Sequence, residues 1–229
     1  MCGRTSCTLN KDVVPLACSA VTPQVPKWKE APCGGHYETS TNLPPTAYTP
    51  VLFQGKNLHA LFVHRHFTRT VLHSADEELC VQPMLWGLVP FWHRGSSPTD
   101  HKLTTNNARL EGLAVSKLYK PSLENDRRCV IVCDGFYEWK KLKSGQKQPY
   151  LVYANRMSND FPDFAKANEK EHWSGEDWHG PRPLFMAGLY SIWYADNDEE
   201  AEEPSRKKRS GIFNYTVITR YSKLSPQRI

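Results

Sequence analysis

Long apolar runs are missing from these 229 residues: no stretch approaches the ~20 consecutive apolar residues of a membrane span. An apolar segment behind Met1 is missing too, where Cys-Gly-Arg-Thr-Ser-Cys follows, so the chain reads as one without a secretory signal. Neither sign of charge dominates. The 29 Lys and Arg against 24 Asp and Glu leave +5, which permits a nucleic-acid partner without demanding one. The cysteines do not form an even set: there are seven, at positions 2, 7, 18, 33, 80, 129 and 133. With no signal, they read as free thiols in a reducing compartment rather than as a disulfide framework. What is present is a core: 39% hydrophobic and 11% aromatic residues exclude a wholly disordered chain. At about 150 residues per domain, the length fits one large domain or two small ones.

Strand signals dominate the pass along the chain. Residues 58–64, 129–133, 149–153, 184–190 and 213–219 are apolar, branched or aromatic, and each is bounded by Gly, Pro, Asn, Asp or Lys clusters. Lys141 to Gln146 reads as a turn between strands at 135–140 and 148–153. Helix signals are fewer. Asp12 to Ala20 predicts a short helix weakened by Pro15. Asn107 to Tyr119 predicts a better one, with Leu110, Leu113, Ala114 and Leu118 on one face and Asn106 or Asn107 as cap. The sum is an α+β fold, mostly antiparallel β with a few short helices, rather than alternating βαβ units. Residues 155–182 and about 196–210 read as surface insertions. The second carries an acidic run and then Arg206-Lys207-Lys208-Arg209, either a solvated loop or a nuclear-localisation patch.

Cys2 has chemistry of its own. Removal of Met1 would leave a cysteine with a free α-amine and a thiol on adjacent carbons. Their ordinary pKa values are about 7.7–8.0 and about 8.5, so both are nucleophiles within reach of neutral pH. Such a 1,2-aminothiol condenses with an aldehyde: the amine forms an imine, and the thiol closes on the same carbon to give a five-membered thiazolidine. The alternative is an ordinary N-terminal cysteine without a role.

Several local motifs then agree. The chain starts Met1-Cys2-Gly3-Arg4; Asn42-Leu43-Pro44-Pro45-Thr46 follows, then Trp86-Gly87-Leu88-Val89-Pro90-Phe91-Trp92. Asn107-Ala108-Arg109, Asp134-Gly135-Phe136-Tyr137-Glu138-Trp139, Met186-Ala187-Gly188 and Tyr215-Thr216-Val217-Ile218-Thr219 complete the set. In this order the chain resembles the SRAP (SOS-response-associated peptidase) family from residue 2 to about residue 220. The resemblance implies a single SRAP-like domain over 1–229, mostly β, with a basic groove for single-stranded DNA. It also implies a function in the DNA-damage response: recognition of the ring-opened aldehyde of an abasic site, and a covalent thiazolidine crosslink through Cys2. It implies no cofactor and no metal. It further implies single-stranded DNA with abasic sites and replication-fork proteins as partners, a monomeric state, and a nuclear location away from membranes.

Residue by residue, the resemblance makes Cys2 the nucleophile, Glu138 the proton carrier and Asn107 the group that positions the opened sugar. Arg4 and Arg109 would contact phosphates with their guanidinium forks, and Lys117 stands where many relatives carry arginine. Asn42 would contact the DNA, and Pro44 and Pro45 would shape the groove wall. Trp86 and Trp92 either stack on bases or pack in the core, with one of the two expected in the core. The plain alternatives are a solvent-facing strand residue for Glu138 and a helix cap for Asn107. Cys129 and Cys133, four apart on a strand, share a face and read as buried small side chains rather than zinc ligands. His64 and His66 share a strand face with no acidic or cysteine ligand nearby.

One departure stands out. Relatives continue past the strand at 215–219 into a histidine motif, H-x-R-M-P, whose histidine helps open the sugar; here Lys223 to Ile229 ends the chain. The sequence therefore reads as a C-terminally truncated member, with an exposed sheet edge or apolar face and weakened chemistry. The competing functions are a single-stranded DNA-binding module, a cysteine peptidase and, without an aromatic cage to support it, a modified-cytosine reader.

Overall fold

The computed structural model describes residues 3–54, 78–154, 168, 173–174, 177–195 and 211–220. In chain order its elements are β1 (Thr5–Cys7), α1 (Val14–Cys18), β2 (Lys27–Trp28), β3 (Ser40–Leu43), β4 (Tyr48–Gln54), β5 (Leu79–Trp86) and β6 (Asn107–Arg109). Then come α2 (Lys120–Glu124), β7 (Arg128–Cys133), β8 (Gly135–Lys141), β9 (Lys147–Tyr153), β10 (Trp173–Ser174), β11 (Asp177–Trp178), β12 (Leu184–Trp193) and β13 (Ile212–Thr219). Short 3-10 turns lie at Pro32–Gly34 and Leu110–Gly112. This is the mostly β, α+β architecture that the sequence predicts.

A closed ring organises the core. Strands β5, β4, β7, β12 and β13 are neighbours in that order, and β13 returns to pair with β5 through Asn214↔Leu85 and Tyr215↔Trp86. The last described strand, β13, is thus paired on both edges: by β12 on one, and by β5 and then β6 on the other. All eight residues of β5 are buried, which explains why Leu79–Trp86 shows no alternation of apolar and polar residues. Pro83 falls between the two segments of β5 that β2 and β13 pair, a position where a missing N–H costs no ladder bond. The ring is filled by Val51, Val81, Met84, Ile131, Tyr215 and their neighbours. Gly188 is a glycine because a Cβ there would stand 2.5 Å from Ile131 Cδ1 and 2.7 Å from the Thr216 carbonyl oxygen.

A second sheet, in the order β3-β1-β8-β9, carries the start of the chain between two partners. Its β8–β9 hairpin has the predicted turn. Leu142 N donates to the Gln146 carbonyl at 2.8 Å, Gly145 N donates to the Leu142 carbonyl at 3.0 Å, and Gly145 takes φ +84°, a left-handed value that suits glycine.

Two helix expectations are corrected. The helix predicted over Asn107 to Tyr119 does not form: Asn107–Arg109 is β6, a 3-10 turn follows, and a helix begins only at Lys120. Parallel pairing with β13 recruits Asn107–Arg109 into the sheet and overrides a periodicity that looked helical, leaving Leu110 exposed. Asn107 is therefore a strand residue and not a helix cap. The helix predicted over Asp12 to Ala20 contracts to Val14–Cys18, with Pro15 in its first turn, where its missing N–H is harmless. The segment preceding it is closed by Asn10, whose Oδ1 accepts from the N–H groups of Asp12 and Val13. The strand expected at 58–64, with His64 and His66, and the basic run at 206–209 lie outside the described residues. So does most of the 155–182 insertion, from which the two-residue strands β10 and β11 are described.

Candidate active site and nucleic-acid interface

Cys2 lies outside the described residues; the structure begins at Gly3. What it describes is the frame that receives the start of the chain. β1 runs antiparallel to β8, with Thr5↔Phe136 and Ser6↔Gly135, and Tyr137 N donates to the Arg4 carbonyl at 2.9 Å. Continuing that register by two residues from Thr5 sets Glu138 opposite Gly3, whose peptide nitrogen carries Cys2. Directly opposed residues of an antiparallel pair share a face, so Glu138 belongs to the face of Thr5 and Phe136. Glu138 is half-buried, between Phe136, which packs on the core, and the exposed Lys140.

The Asp134-Gly135 pair explains how β1 is held there. The Asp134 carboxylate, 1% exposed, accepts from Ser6 Oγ at 2.9 Å, Thr8 N at 2.8 Å and Thr8 Oγ1 at 2.9 Å through Oδ2. Its own N–H donates to the Ser6 carbonyl at 2.8 Å. Burial pushes the Asp134 carboxyl above its ordinary value, against the hydrogen bonds from Thr8 and Ser6 that pull it down. Gly135 is glycine because a Cβ would stand 2.4 Å from the Val152 carbonyl oxygen on β9. Sequence reasoning quoted both residues as a motif and gave neither a role; an aspartate flanked by apolar strand residues was the available signal. The second cysteine of the opening motif is structural. Cys7 is fully buried, its thiol donates to the Val132 carbonyl at 3.5 Å, and burial drives its pKa upward. The Tyr37 hydroxyl donates to the Leu9 carbonyl at 2.7 Å and lies 3.0 Å from Cys7 Sγ.

A second knot forms around Trp86. Its backbone carbonyl accepts from Thr46 N at 2.7 Å, and its N–H donates to the Ala47 carbonyl at 2.9 Å. Its indole Nε1 donates to the Asn106 carbonyl at 3.0 Å, and its ring stacks on Tyr215 at 6.5 Å and 3°. Gly87, at φ +135°, donates its N–H to the Tyr215 carbonyl at 2.8 Å. Three separated motifs, at 42–46, 86–92 and 106–109, are thereby tied to β13. Trp86 itself is 0% exposed, so it presents no ring face to a base; of its two sequence readings, core packing describes it. It acts through the residues it positions.

Those residues sit as follows. Asn42 and Pro44 are exposed, at the end of β3 and in the turn after it. On β6, Ala108 points into the core, so Asn107 and Arg109, both partly exposed, point the other way together. The Asn107 carbonyl accepts from Tyr119 Oη at 3.1 Å. Arg4 is half-buried and Lys117 exposed. Trp92 is 46% exposed and meets Phe91, 59% exposed, edge-on at 4.8 Å. The segment presenting them is held from behind: His93 stacks on Trp193, and His93 Nε2 lies 2.7 Å from Asp100 Oδ1. Trp139, 42% exposed, follows Glu138 in sequence but lies on the other face of β8 with Tyr137. Among the described residues no group of three or more His, Cys, Asp or Glu could hold a metal ion, and no helix is long and apolar enough to cross a membrane.

The family model for the SOS response associated peptidase, SRAP, matches residues 1–229. The chain belongs to the SRAP family. This SRAP chain is 34% identical over 223 residues to the Xenopus tropicalis abasic site processing protein HMCES, covering 96% of this chain and 57% of the relative. It is 34% identical over 225 residues to the Gallus gallus HMCES, covering 96% and 57%. The abasic site processing protein YedK of Escherichia coli is 35% identical over 83 residues, 36% of this chain and 33% of that one. The SRAP chain thus spans about 57% of the length of the vertebrate relatives. Among solved structures, a protein from Bordetella bronchiseptica shares the fold at TM-score 0.56 and 14% identity, covering 98% of this chain and 75% of that one.

Proposed function

We propose that this SRAP chain recognises abasic sites in single-stranded DNA and joins itself to them through Cys2. The observation that carries the reading is the β1–β8 register: it sets a half-buried carboxylate, Glu138, across from the residue that follows Cys2. The names of the HMCES and YedK relatives, abasic site processing proteins, supply the substrate class. In the proposed reaction the Cys2 amine, freed by loss of Met1, adds to the aldehyde carbon of the opened deoxyribose to give a carbinolamine. Glu138 delivers the proton with which hydroxide leaves as water, forming the imine. The Cys2 thiol then adds to the same carbon while its proton passes to the imine nitrogen, closing the thiazolidine. One C–N and one C–S bond form, one C=O bond is lost, and one water leaves, with no oxidant or reductant required. Asn107 and Arg109, side by side on β6, hold the opened sugar and its phosphate; Arg4 and Lys117 add phosphate contacts. Trp92 offers a ring to a neighbouring base.

The test uses the full chain, with Met1 verified as removed by mass spectrometry, and an oligonucleotide carrying one abasic site. A slower band on a denaturing gel that is lost in Cys2→Ala and slowed in Glu138→Gln is expected. Binding on a native gel with no covalent band would replace the proposal with a DNA-binding module. Inhibitor-sensitive cleavage of peptide substrates without any band would replace it with a peptidase.

A further inference from the structure

The β8–β9 hairpin carries a charge pattern that its own fold does not explain. From Gly135 to Tyr153 it holds Lys140, Lys141, Lys143 and Lys147 against a single acid, Glu138. All four lysines are exposed. Lys141 and Lys147 are direct register partners, the arrangement in which like charges repel across a ladder. Four of the six other described lysines meet acids: Lys11 pairs with Glu30 at 3.2 Å, Lys27 and Lys29 with Glu78, and Lys120 with Glu124 at 3.6 Å. Among the described residues none of the four hairpin lysines has such a partner. A local rule is broken here with no gain inside the fold, and such breaks mark functional surfaces.

The arm also starts at the site. Lys140 follows Glu138 on the same face of β8, about 7 Å along the strand, and the turn that bears Lys143 lies roughly 15 Å from it. Ammonium groups on flexible stems suit backbone phosphates and carry no base readout. Lys141 and its partner Lys147 lie on the opposite face from Lys140 and Glu138, so it is a polyanion crossing the turn and the edge at β9 that would meet both sets, relieve the Lys141–Lys147 repulsion and release its own counterions.

We infer that the β8–β9 hairpin, through Lys140, Lys141, Lys143 and Lys147, is an electrostatic arm that binds the phosphates of a DNA single strand to one side of the Glu138 site. The inference rests on the proposed nucleic-acid role of that site, but it concerns undamaged flanking strand and not the covalent step. The grip is independent of sequence and of the lesion.

The experiment measures binding of a labelled, undamaged single-stranded oligonucleotide by fluorescence anisotropy between 50 and 200 mM salt, roughly the range over which phosphate contacts are lost. The full chain is compared with a variant carrying K140Q, K141Q, K143Q and K147Q, and with K11Q/K29Q as a control of surface lysines. At about 0.7 in the salt slope per phosphate contacted, loss of three or four contacts lowers the slope by roughly 2–3. Affinity at the lowest salt falls about tenfold or more, equally for all sequences, while the control stays within twofold. Thermal melts keep the result interpretable: K141Q/K147Q removes an opposed like-charge pair, so its melting temperature is expected to hold or rise. A quadruple variant with unchanged slope and affinity within twofold overturns the inference, as does a wild-type chain that binds no single strand. Abasic-site crosslinking, scored separately with Cys2→Ala, reads the proposed function; a chain that fails to crosslink yet loses salt-dependent binding in the quadruple variant leaves the arm standing and removes the covalent role.

Discussion

Replacing Asp134 with alanine removes the acceptor around which the start of the chain is folded. Three donors then lose their partner: the Thr8 peptide N–H and the hydroxyls of Ser6 and Thr8. The peptide donor is fixed by the backbone, and a buried donor left without an acceptor costs about 1–3 kcal/mol. The hydroxyls can rotate, so each loses closer to 1 kcal/mol, the usual net worth of a hydrogen bond. The expected loss is therefore about 3–5 kcal/mol, a large share of the 5–15 kcal/mol that domains usually have. Asp134→Asn keeps one carbonyl oxygen for the Thr8 N–H and is expected to cost about half as much. Urea denaturation followed by tryptophan fluorescence reads both. An alanine variant within about 1 kcal/mol of wild type, or an asparagine variant as damaged as alanine, would refute the reasoning. The pH dependence gives a second handle. The folded-state pKa of Asp134 is raised by burial, so the folded protein binds that proton more tightly than the unfolded chain does. The stability this contributes is fully present below the ordinary carboxylate value of about 3.9 and is lost as pH rises through the folded value. Wild type should lose ground against Asp134→Asn as pH climbs from about 3.5 towards neutrality; a gap that moves the other way would show the hydrogen bonds outweighing burial.

Other expectations are simpler. Gly135→Ala drives a methyl against the Val152 carbonyl oxygen at 2.4 Å and should cost about 1–3 kcal/mol in the same denaturation assay. Trp86→Ala empties a fully buried site and leaves the Asn106 carbonyl without its donor, for about 3–5 kcal/mol in a melt. Trp92→Ala, at an exposed position, should change stability by less than about 0.5 kcal/mol yet weaken single-strand binding by about 1–3 kcal/mol. Iodoacetamide under native conditions should label Cys33 and spare Cys7, Cys18 and Cys129, which are buried and whose thiols are pushed up in pKa; peptide mass spectrometry reads this directly.

The strands at 128–133, 135–141, 147–153, 184–193 and 212–219 were legible because each is a branched or aromatic run with turn residues at its ends. β5 was visible as a motif but not as a strand, since burial on both faces and an internal Pro83 erase the usual alternation. β6 was misread because three residues pairing with a strand more than a hundred positions away leave no local trace, while the leucines beyond them mimic a helix face. At the site, residue types told what chemistry is available, but only the register told which residue Glu138 faces. The lysine pair on the hairpin was equally invisible until Lys141 and Lys147 were seen to be partners.

The return of β13 to β5 has a meaning in time. Leu85 and Trp86 are made about 130 residues before Asn214 and Tyr215, which cover them. At roughly 5–20 residues per second, that edge of β5 waits on the order of 6–26 seconds on the ribosome for its neighbour. The earlier half of the same edge, Cys80 and Val81, has β2 within reach from the start, so the unprotected stretch is short. The wait extends to β6, because Asn107 and Arg109 gain their strand partner only when Val217 to Thr219 arrive. A nascent chain therefore carries its first residues long before it can orient the side chains of β6. The orientation of Asn107 and Arg109 is thus set only when the barrel is complete.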